Sequence, residues 1–236
     1  MTSQSAPQPT DRPECPEPPA ARTFPVHHHP TSSTPTPQVR LETLLVRAGT
    51  GTDPATGAIT TPIHLSTAYG HPGLGESTGY DYTRTASPTR DVLQDALARL
   101  EGGTAAFALS SGMAALELVT RTLAPHGSRI VALRDLYGGS FRFLEVLAEE
   151  GAARVEFVLG TEGLREALAS PADLVIIETP TNPMMEEIAI PEAAELARAA
   201  GARLVVDNTF YTPVVQRPLE LGADVVVHSG TKYLGG

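Results

Sequence analysis

The sequence predicts an α/β fold: a mostly parallel sheet with helices on both faces. Two observations carry this. From residue 91 onward, short apolar runs alternate with amphipathic stretches, the pattern of buried parallel strands joined by crossover helices. Polar residues with chemical capability then stand where the runs end, which is where open parallel sheets bind ligands.

Residues 1–38 are rich in Pro, Ser and Thr. Such a segment buries too little apolar area to offset its ordering entropy and reads as a disordered extension. The adjacent His27, His28 and His29 within it are assigned no role, and no metal site is expected. Residues 39–90 carry many Gly, Pro, Thr and Tyr with little periodicity. Val92, Leu93, Ala96, Leu97 and Leu100 then share one helical face, and Gly102-Gly103 stops that helix. Strands are expected over 105–109, 129–133, 155–159, 174–177, 203–206 and 224–227, with helices such as 113–123 and 191–200 between them.

Composition narrows the function. The chain of 236 residues has no apolar run of the length a membrane-spanning helix needs. It lacks the basic start and apolar stretch of a secretory signal. A net charge of -10 argues against gripping nucleic-acid phosphates. The single cysteine, Cys15, allows no internal disulfide. These features read as a soluble cytoplasmic protein, with neither nucleic acid nor membrane as partner.

The strand ends suggest a chemistry. Lys232 follows an apolar strand and a Ser-Gly-Thr turn, where a low-dielectric setting lowers an amine pKa and frees it to attack a carbonyl. Alone, it reads better as a surface lysine at a loop. Asp207 ends another strand, where a carboxylate either pairs with a protonated ring nitrogen or caps a loop. Ser229 and Thr231 offer hydroxyls to phosphate oxygens or to the local backbone. Ser110 to Ala115 opens a helix whose free N–H groups suit a phosphate, although such a junction is more commonly an ordinary N-cap. Tyr137 can lay its ring on a planar cofactor, and Arg84, near Tyr82, can grip phosphate or pair with a surface carboxylate.

Six stretches, in order, resemble the Cys/Met-metabolism family of pyridoxal-phosphate (PLP) enzymes, the trans-sulfuration group. They are Tyr80-Asp-Tyr-Thr-Arg84, Ser110-Ser-Gly-Met-Ala-Ala115, Leu136-Tyr-Gly-Gly139, Glu178-Thr-Pro-Thr-Asn-Pro183, Val206-Asp-Asn-Thr-Phe210 and His228-Ser-Gly-Thr-Lys-Tyr233. The resemblance implies the large domain of a PLP-dependent transferase of fold type I, aspartate-aminotransferase-like. It makes Lys232 the Schiff-base lysine and proton carrier, Asp207 the partner of the pyridine nitrogen, and Tyr137 a stacking residue that assists proton movement. Gly112, Met113, Ser229 and Thr231 would bind the phosphate, and Asn182 the phenolic oxygen. Tyr82 and Arg84, within a 39–90 segment contacting a neighbouring subunit, would reach that subunit's phosphate, in an assembly that is usually a tetramer.

Thr61-Pro-Ile-His-Leu-Ser-Thr-Ala-Tyr69 looks most like bacterial cystathionine γ-synthases and O-acetylhomoserine thiol-lyases, implying γ-replacement on an O-acylhomoserine. Gly139, where methionine γ-lyases carry cysteine, speaks against that member. Cystathionine β- or γ-lyase activity stays open, as does a non-catalytic PLP-binding remnant. His64 stands where many members have tyrosine, and Ala86-Ser-Pro-Thr89 replaces the commoner Gly-Asn-Pro-Thr. Residues 91–236 are expected to be an incomplete PLP-binding domain lacking the family's C-terminal domain, with little or no turnover as this polypeptide alone.

Overall fold

Five parallel strands form the sheet in the spatial order β2-β1-β3-β4-β5. They are β1 (Arg129–Leu133), β2 (Arg154–Val158), β3 (Leu174–Glu178), β4 (Arg203–Asp207) and β5 (Val225–Val227). The helices are α1 (Leu41–Arg47), α2 (Pro88–Glu101), α3 (Gly112–Leu123), α4 (Gly138–Glu149), α5 (Gly160–Ala167), α6 (Ile190–Ala199) and the short α7 (Thr212–Val215). The computed structural model describes residues 39–51, 53 and 55–235. The expected 1–38 extension, with its histidines and Cys15, lies outside the described residues.

Burial explains the strand sequences. Every residue of Leu174–Glu178 is buried, as expected of a strand covered on both faces, whereas Arg154–Val158 at the sheet edge alternates. Helix α4 carries the chain from β1 one way to β2; α5 and α6 carry it back the other way. With right-handed crossovers, opposite directions place these helices on opposite faces. The packing agrees: α3 lies against α4, and α5 against α6. The direction reverses between β1 and β3, which opens a crevice at the carboxyl ends of the central strands.

Local signals set the boundaries. Helix α2 starts with Pro88 in its first turn and ends at Gly102, whose φ of 71° is left-handed; glycine meets that conformation without a Cβ penalty. Arg129 donates to the carbonyls of Ala167, Ser170 and Pro171 and to Glu156, so one guanidinium holds the end of α5 against the sheet.

One expectation fails. Residues 105–109 form no strand. Ala108 N–H donates to the Gln94 side chain instead of to a ladder, and Phe107 is exposed; an apolar run without a strand beside it has nothing to pair with. Leu93 is also exposed, leaving Leu100 as the buried apolar anchor of α2. Among the described residues between α1 and α2, the strand pairing is limited to two isolated bridges, Thr50 with Thr60 and Ala68 with Tyr82, and Ile63, Leu65 and Leu74 are exposed. Among the described residues, no helix is long and apolar enough to cross a membrane.

These burial differences predict mutational costs. Leu144 is 0% exposed and Leu93 50%. Leu144→Ala should cost about 2–5 kcal/mol in denaturant unfolding, and Leu93→Ala only about 0.5 kcal/mol. Equal costs would contradict the packing described here.

Candidate active site

A cavity of about 210 Å³ opens at the carboxyl ends of the strands, on the α3/α4 side. Lys232, Asp207, Asn182, Tyr137, Gly112, Met113 and Ser229 line it. Tyr82, Arg84 and Thr231 are not in the lining. Thr231 stays close, its hydroxyl 3.3 Å from that of Ser229. Arg84 stacks over Tyr82 at 4.9 Å.

Helix α3 supplies one wall. Ser111 caps it, its hydroxyl accepting from Ala114 N–H at 3.0 Å. The Gly112 and Met113 N–H groups precede the first intrahelical bonds and have no acceptor among the described residues. Gly112 is required by contact: a Cβ there would lie 2.9 Å from the Ser229 Cβ. The helix start therefore sits directly on the turn that carries Ser229 and Lys232. A Cβ at Gly139 would lie 2.5 Å from the Tyr137 ring and 3.0 Å from the Met113 sulfur. That glycine leaves the tyrosine ring its place beside α3.

Asp207 closes the floor. Its Oδ1 accepts from Thr209 N–H at 3.0 Å and from the Thr209 hydroxyl at 2.5 Å. Its Oδ2 has no partner among the described residues. Burial raises the carboxyl pKa, while the Thr209 bonds and His228 act the other way. The Thr209 hydroxyl also accepts from Ser229 N–H at 2.9 Å, so one side chain ties the end of β4 to the lysine turn. Tyr233 packs edge-on against Phe210 at 6.1 Å on the other side of Lys232.

Lys232 itself is exposed, a correction to the expected low-dielectric setting. Among the described residues no element covers the Gly230–Gly235 turn. Tyr137, 48% exposed, stands at the cavity mouth.

Glu178 is a further site residue, beyond those assigned a role from the sequence. It pairs in register with Asp207, lines the cavity, and accepts the Tyr137 N–H at 2.6 Å. Burial, then the Asp207 charge, push its pKa up to about 8. Its position at the last rung of an all-buried strand was the available signal. Asp135 Oδ2, beyond β1, accepts Met184 N–H at 3.2 Å and fastens the loop that carries Asn182.

The donor set fits a phosphorylated pyridinium aldehyde: bare N–H groups, a cradle that a Cβ would fill, a carboxylate with a free oxygen, and an amine. Residues 42–236 match the family model described as Cys/Met metabolism PLP-dependent enzyme. The chain is 48% identical over 204 residues to cystathionine gamma-synthase of Haemophilus influenzae, covering 85% of this chain and 55% of the relative. It is 41% identical over 200 residues to cystathionine gamma-lyase of Bacillus subtilis, covering 84% and 52%. A crystal structure of cystathionine gamma synthase from Xanthomonas oryzae pv. oryzae, in complex with aminoacrylate and cysteine, superposes with a TM-score of 0.81 at 44% identity, over 85% of this chain and 52% of that one. The chain thus spans about half the length of the curated relatives it matches.

Glu178 makes stability depend on pH. Its pKa of about 8 lies above the ordinary 4.5, so across that window the folded state holds the proton that the unfolded state has lost. Stability attributable to this group is therefore intact below pH 4.5 and falls as pH rises to about 8. Glu178→Gln, which keeps an acceptor for Tyr137 N–H, should remove that fall and gain several kcal/mol at high pH. Urea unfolding across the pH range checks this, and parallel profiles for the two proteins would refute it.

Proposed function

The chain belongs to the Cys/Met metabolism PLP-dependent enzyme family, with pyridoxal 5'-phosphate as cofactor, and from that premise we propose that it forms the cofactor site of a trans-sulfuration enzyme catalysing γ-replacement on an O-acylhomoserine. Because the chain spans about half the length of these relatives, turnover is proposed for a protein of their length, and cofactor binding for these residues themselves.

One observation carries the reading: a lysine amine, a carboxylate oxygen without a partner and two bare N–H groups converge on a single cavity. The cofactor supplies an electron sink for negative charge at the substrate carbon beside the amino group. Lys232 Nζ would hold the aldehyde, and its amine would move protons between substrate carbons. Asp207 Oδ2 receives the ring N–H and favours its protonated form. The Gly112 and Met113 N–H groups, with the Ser229 and Thr231 hydroxyls, bind the phosphate. Asn182 donates to the phenolic oxygen, and Tyr137 covers the ring and takes part in proton transfer.

We assign Tyr82 and Arg84 to the phosphate of a neighbouring copy in a homo-oligomer, a dimer of dimers. Their place outside the cavity lining and the exposed Ile63 and Leu65 of the same segment support this. The higher identity to a synthase than to a lyase and the Thr61–Tyr69 phrase favour synthesis over β- or γ-elimination.

Adding PLP to the folded chain should produce a visible absorbance band that Lys232→Ala abolishes. A folded wild type without such a band would overturn the assignment, leaving no basis even for a binding remnant. For the substrate, O-acetylhomoserine plus cysteine should yield cystathionine faster than added cystathionine is broken down. The reverse order of rates would make the protein a lyase.

A further inference from the structure

Helix α2 ends on a buried carboxylate, Glu101, only 3% exposed, which none of the roles above employs. Its Oε1 accepts from His228 Nε2 at 2.5 Å and from Asn208 Nδ2 at 3.2 Å. Its Oε2 and the His228 Nδ1 are buried with no hydrogen-bond partner among the described residues. Asn208 directly follows Asp207, and His228 directly precedes Ser229. A single oxygen from outside the sheet thus joins the residues immediately behind two members of the cavity wall.

The connection continues. Asn208, fully buried, also donates to Gln216 O and accepts from Gln216 Nε2, which in turn donates to Thr179 O beside Glu178. The ends of β3, β4 and β5 are linked through these groups. Packing alone does not account for the carboxylate. A buried acid–base pair with two atoms unsatisfied is a poor source of stability, and apolar residues of similar volume generally serve as well or better. What such a pair supplies is direction, since it holds both neighbours at fixed angles.

We propose that Glu101 is a positioning residue of the cofactor site: by holding His228 and Asn208 on one oxygen, it sets Asp207 and the Ser229–Lys232 turn at the spacing that PLP requires. This rests on the cofactor assignment made above.

The test measures PLP affinity and the visible band alongside melting of the cofactor-free chain. Glu101→Ala, at a temperature where it is folded, should raise the PLP Kd by about tenfold or more and shift the band. Glu101→Gln, which keeps an acceptor at the same place, should return the Kd to within about threefold of wild type. The double variant Glu101→Leu with His228→Leu should melt no lower than wild type and yet bind PLP weakly. That pair guards against Glu101→Ala simply failing to fold. Wild-type affinity and an unshifted band in the stable double variant would overturn the positioning role. A wild type that gives no band would instead overturn the cofactor assignment, so the two failures are distinguishable.

Discussion

The Thr209 hydroxyl holds the site together. It donates to Asp207 Oδ1 and accepts from Ser229 N–H, so its donor and one acceptor position are both engaged. The first bond occupies one carboxylate oxygen and leaves the other open. The second brings the lysine turn to β4, close enough that α3 must begin with glycine against Ser229. Asp207, the turn and the helix start all inherit their positions from that hydroxyl. An apolar residue of similar size would leave the Ser229 N–H without its acceptor and Asp207 with fewer bonds to favour its charge.

Two carboxylates in one rung of the sheet are pushed in different ways. Glu178 and Asp207 are neighbours in register, and burial raises both. Only Asp207 is opposed by hydroxyl and backbone bonds from Thr209 together with His228; Glu178 has the Tyr137 N–H alone, with Asp207 and Asp135 adding to its rise. Like charges so close favour one ion and one neutral acid, and their environments decide which is which. The open carboxylate oxygen therefore belongs to the residue better supported as an anion.

Much of the sheet was legible because buried parallel strands are nearly continuous apolar runs. Arg129–Leu133 has the expected limits, and the other strands of the sheet differ by a residue or so at their ends. The run 105–109 misled because apolar character marks the capacity to pair, not the presence of a partner. The Lys232, Asp207 and Ser229 positions were readable as polar residues after strands. The exposure of Lys232 was not, since cover depends on what packs over the turn. Glu101 lay beyond reach, because its partners Asn208 and His228 are more than a hundred residues away. A clue existed nonetheless: an acid in the last turn of a helix opposes the macrodipole, and so calls for another explanation.

Gly139 has a consequence for engineering. Its missing Cβ is the space that the Tyr137 ring occupies, so the ring's tilt is set from beneath by the smallest residue available. Any larger residue there works as a wedge whose thickness is chosen by the experimenter, one carbon at a time. A library confined to position 139 would sample ring orientation, and with it the place of the Tyr137 hydroxyl, without substituting any polar residue of the cavity.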